Sequence, residues 1–189
     1  MTREEFLNIW NYYLVLEGDL SSTSRFVEPT QKDVFSFEFL KIIILSCSEL
    51  ETTFKYICEE ISGSKDNAGN IGQYKNVILK NFPQITEATV KIYRIQESIL
   101  PFQNWKSGTL SWWNAYQDIK HNRGQAFQNA TYWNAVYALS ALYILIFYLS
   151  QITGFEFNDS ESKYLHSEYS SQFLVCRAPK KLPGFEGYC

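Results

Sequence analysis

Residues 111–124 read SWWNAYQDIKHNRG and bring Lys120, His121 and Arg123 into four consecutive positions. An imidazole exchanges protons near neutral pH, and flanking cations stabilise phosphoryl charge. The chemistry suggested is general acid–base work on a phosphate, with His121 moving the proton and Arg123 or Lys120 holding the charge. On a helix, Asn114, Gln117, Asp118 and His121 share a polar face, while Trp112, Tyr116, Ile119 and Arg123 share another. Asp118, one turn before His121, is placed to accept from the ring and raise its basicity. His121 and Arg123 project about 200° apart on an ideal helix. They would grip one phosphate only if the helix frays at Asn122 or a second chain supplies its own copy.

A purely structural reading stands beside this. Basic side chains in a last turn complement the negative end of the helix dipole, and Gly124 would stop the helix. Trp112 and Trp113 would then be core packing, not a stacking platform.

Other chemistries find little support. The chain has 2 His and 4 Cys, the Cys at 47, 58, 176 and 189. It has no CxxC, no Gly-rich phosphate loop and no GxSxG. We therefore expect no metal centre and no cofactor. Cys189 is not a prenylation box, and the start, MTREEF, has no apolar leader core, so reduced thiols in the cytoplasm are expected.

The elements that must carry these residues read as helices. The 189 residues suit one domain with a tail, and 46% hydrophobic residues indicate a folded core. Aromatics reach 17%, enough to furnish interfaces as well as a core. The net charge of -3 is unevenly spread: residues 1–62 hold eleven carboxylates against five cations, and residues 63–130 hold eight cations against four carboxylates. That basic stretch contains the motif and would favour a polyanion, unless the acidic first segment matches it in the fold.

Residues 3–16 predict a first helix, broken by GDLSSTSR, with an irregular connection through Pro29. Ser36 is an N-cap for a long helix ending before Gly63. Its Glu49 lies at the edge of the apolar face and needs a partner: a rim salt bridge, or a base held from another helix, such as His121. Residues 71–82 predict a shorter helix stopped by Pro83. Residues 86–100 read as helix or strand. Residues 101–110 form a loop whose aromatics cover the bundle end. Ser111 would cap the motif helix and Gly124 end it, and a core helix over 129–153 would end at Gly154. Within it, residues 135–152 carry no charge and meet the length of a membrane span. Mid-span tyrosines and Ser, with Leu at helical spacing, favour a buried core helix instead, so no membrane partner is expected. The fold expected is an all-α, up-and-down bundle of four to five main helices over 1–157. An irregular N-terminal connection and a C-terminal tail over 158–189 complete it, with a short strand at FLVC.

The combined pattern resembles the HEPN superfamily, in particular a bacterial subgroup with a Trp-Trp, a Tyr and a Lys-His-x-Arg ending. The pieces are RFVEPTQKDVFSFEFLKIIILSCSELETTFK (25–55), NIGQY (70–74) and PFQNW…SWWNAYQDIKHNR (101–123), followed by the alanine-rich long helix. The resemblance implies a helical bundle that forms a homodimer and cuts RNA without metal. The RNA's own 2′-hydroxyl would attack the phosphate, in a toxin–antitoxin or abortive-infection setting with a cognate antitoxin or effector partner. The implied catalytic residues are His121, Arg123 and Lys120, supported by Glu49, Asp118, Asn122, Trp112, Trp113 and Tyr116. The family's usual order is an Arg, a polar residue, then His; here His121 precedes Arg123. The alternative is a non-catalytic HEPN-like module that binds a protein partner, a nucleotide or RNA.

Overall fold

The computed structural model describes residues 1–63, 69–92 and 95–155. Residues 156–189 lie outside them, and with them the expected tail, the FLVC strand, His166, Cys176 and Cys189. The described chain is an all-α bundle: α1 (Arg3–Thr23), α2 (Phe37–Ser62), α3 (Ile71–Asn81), α4 (Ser111–Ala126) and α5 (Tyr132–Thr153). A two-stranded antiparallel hairpin, β1 (Val90–Ile92) with β2 (Glu97–Ile99), lies between α3 and α4.

The central helix is α5, packed against α1, α2 and α4. It is the one helix among the described residues long and apolar enough to cross a membrane, and 78% of that window is buried inside the bundle. The all-round apolar pattern thus marks a helix enclosed by its neighbours. Thr131 caps its start by accepting from the Asn134 N–H, and Gly154 ends it in the left-handed region at φ 69°.

The second core layer is α2, with Ile42, Ile43, Cys47, Leu50 and Phe54 fully buried. Ser36 caps it as expected, accepting from the Phe39 N–H, and Gly63 ends it at φ 68°. Rings lock α1 onto α5: Tyr13 and Trp10 lie 5.3 and 6.3 Å from Tyr143, separations typical of favourable aromatic pairs.

Several boundaries differ from expectation. The first helix does not stop near residue 16. It runs through Gly18, where a side chain would meet open space, because Leu16 and Leu20 continue its buried stripe. The stretch 86–100, readable as helix or strand, continues from a short helical turn at Pro83–Glu87 and supplies the two strands of the hairpin. The loop after it does cover the bundle end: Phe102 and Trp105 are buried.

Candidate functional site

The residue at the N-cap of α4 is Leu110, which has no side-chain cap bond, and Ser111 is the first helical residue instead of the cap. The start of α4 is held by Trp112, whose indole N–H donates to the Pro101 carbonyl at 2.9 Å. Trp112, Trp113, Tyr116 and Ile119 are buried, while Asn114, Asp118 and His121 are exposed. The Trp pair is therefore core packing: the rings meet edge to face at 5.9 Å. Trp113 also lines a cavity between α2, α3 and α4.

The end of α4 departs from the expected stop. Gly124 does not adopt a positive φ, so it ends nothing. The break comes at Asn122 (φ -143°, ψ 51°), and helix resumes to Ala126. The Asn122 carboxamide donates to Gln125 Oε1 at 2.9 Å across the break. Arg123 lies beyond the break and is exposed, not part of the buried Trp112–Tyr116–Ile119 face.

The carboxylates expected to orient His121 are engaged elsewhere. Asp118 accepts from the Asn129 carboxamide at 3.3 Å. Glu49 is half-buried, and burial raises its pKa. It lies near enough to Tyr12 on α1 and Tyr56 on its own helix for its charge to raise their hydroxyl pKa values, and it makes no hydrogen bond or ion pair to His121. His121 is exposed and makes no hydrogen bond or ion pair among the described residues.

Lys120 turns the other way, into a network that joins α4 to α2. Its ammonium donates to Tyr116 Oη at 3.0 Å and lies 3.6 Å from Glu51 Oε1. Tyr116 in turn donates its hydroxyl to Glu51 at 3.1 Å. Burial, foremost, raises the Tyr116 pKa. The bond to Tyr116, followed by attraction to Tyr116 and Glu51, raises that of Lys120.

This network forms one wall of a cavity of about 640 Å³, within the range of small-molecule sites. Glu51 and Lys55 come from α2, Lys75 from α3 and Lys120 from α4, while Trp105 and Trp113 supply indole surface. Trp105 is fixed by Phe54 and Phe102, with centroids 5.5 and 5.0 Å away. Asn70 caps α3 at the rim, accepting from the Gly72 and Gln73 N–H groups. Three lysines against one carboxylate make the cavity cationic. Among the described residues no three His, Cys, Asp or Glu side chains gather as a metal site would require.

Of the residues singled out from sequence, Lys120, Tyr116 and Trp113 thus come together, whereas His121, Asn122 and Arg123 form a separate exposed group past the kink and Glu49 stands apart. Sequence reasoning missed Glu51, Lys55, Lys75 and Asn70. The basic excess over 63–130 was the one signal pointing to Lys75. Comparison with family models, curated proteins and solved structures finds no match.

Proposed function

We propose that this chain is a HEPN-like helical module that works by binding, and that its ligand is a nucleotide held between α2, α3 and α4. The observation that carries the reading is the convergence of Lys55, Lys75 and Lys120, each from a different helix, on one cavity with indole surface. Lysines hold phosphate as point charges, and aromatic surface receives a base. The state of His121 supports binding over cleavage. A general base needs a group that orients it; Asp118 bonds to Asn129 instead, and His121 has no hydrogen-bond partner among the described residues.

The second reading, a metal-independent ribonuclease of a defence or toxin–antitoxin system, rests on the Asn122 break. It removes the ideal-helix geometry that separates His121 from Arg123 and leaves both exposed to a second copy or to RNA.

One experiment separates the two. Purified protein in EDTA is titrated with the four ribonucleoside monophosphates and triphosphates by calorimetry, and in parallel incubated with end-labelled RNA. The binding reading expects saturable one-site binding, weakened about tenfold by Lys75→Gln, and intact RNA. Cleavage that leaves 2′,3′-cyclic phosphate ends and disappears in His121→Ala would establish the ribonuclease. Absence of nucleotide binding would sink the binding reading.

A further inference from the structure

The cavity's three ammonium groups are not equivalent. Lys120 already shares Glu51 and the Tyr116 hydroxyl. Lys75 donates only to a neutral acceptor, the Gly108 carbonyl at 3.2 Å. Lys55 is exposed and makes no ion pair among the described residues. The start of α3 adds little further capacity, since Asn70 takes up the Gly72 and Gln73 N–H groups. Among the described residues the site therefore offers two cations without a counter-charge, and a third that a fixed carboxylate balances.

Resting on the nucleotide reading above, we propose that Glu51 sets the charge this cavity accepts: a phosphomonoester dianion, and not a polyphosphate. Lys55 and Lys75 match the two charges of a monophosphate. A longer phosphate chain brings further negative charge into a partly enclosed space where the remaining ammonium is taken. To reach Lys120 it must displace Glu51, leaving that carboxylate unpaired beside the incoming anion. Like charges at such range repel, and charges drawn from water without a partner carry a desolvation cost. Glu51 thus acts as a specificity residue through charge alone. Its role in fixing Tyr116 needs only an acceptor oxygen, which glutamine retains.

The test compares AMP with ATP, and GMP with GTP, by calorimetry in EDTA on wild type, Glu51→Gln and Lys75→Gln. Inorganic phosphate and adenosine serve as the separated halves of the ligand. Circular dichroism and melting temperature establish that each variant is folded. The expected result is tighter binding of the monophosphates by wild type. The triphosphate-to-monophosphate Kd ratio should fall about tenfold in Glu51→Gln. Lys75→Gln should weaken both classes. Triphosphates bound more tightly than monophosphates by wild type, or a ratio unmoved by Glu51→Gln, would overturn the charge assignment while leaving the nucleotide site standing. Failure of every nucleotide to bind wild type would remove the site itself.

Discussion

Glu17 lies one helical turn beyond Tyr13 on α1 and is 5% exposed, a carboxyl inside the core. It accepts a hydrogen bond from the Tyr13 hydroxyl at 3.0 Å. Burial pushes its pKa from 4.5 up to about 8, opposed only by that bond. The folded state therefore holds a proton that the unfolded chain releases above pH 4.5. The sign follows directly: this group's contribution to stability is fullest below pH 4.5, declines as pH rises to about 8, and then levels off. The full change is on the order of 5 kcal/mol. Urea denaturation at pH 5, 7 and 9 should show wild type losing stability relative to Glu17→Gln across that interval. Parallel pH profiles for the two proteins would mean that Glu17 is ionised inside the fold.

At the scale of the element, α3 shows how a short helix depends on its ends. Eleven residues are marginal for a helix in water, and only Tyr74 and Ile78 are buried from it. Asn70 accepts two of its free N–H groups, and Gln73 reaches back to accept from the Gly69 N–H at 2.7 Å. Removing that cap in Asn70→Ala should cost about 1 kcal/mol in urea denaturation, and it should weaken nucleotide binding by freeing the strand of cavity wall that carries Lys75. A variant that loses stability with unchanged binding would detach the cap from the site. The helices were legible because caps and apolar periodicity are local: Ser36, Gly63, Pro83 and Gly154 mark ends where the chain has them. The first helix was read short because Gly18 and two Ser resemble a break, yet the buried stripe overrides them. Gly124 misled in the opposite sense: the interruption comes two residues earlier, at Asn122, which the sequence offered only as fraying before the glycine. The candidate site was legible only in its α4 half. Lys120 and Tyr116 share a helix face, but Glu51 meets them across 65 residues, a pairing set by how α2 packs on α4.

Across the whole molecule, stability rests on the packing of α2 with α5, and these two core helices each carry a polar irregularity. Ser46 on α2 and Ser140 on α5 are fully buried, and their hydroxyls have no hydrogen-bond partner among the described residues. A buried hydroxyl without a partner forfeits its hydration and gains nothing in exchange. Nearby positions such as Leu139 and Leu142 are equally buried but apolar, so their loss acts through packing alone. Ser140→Ala should therefore raise the unfolding free energy by about 1 kcal/mol. Leu142→Ala should lower it by about 3 kcal/mol through the cavity it leaves. Both are measured by denaturation midpoint at constant slope. A destabilised Ser140→Ala would mean that the hydroxyl satisfies itself through an internal water. In that case the core around α5 holds water, and the bundle is held by more than apolar contact.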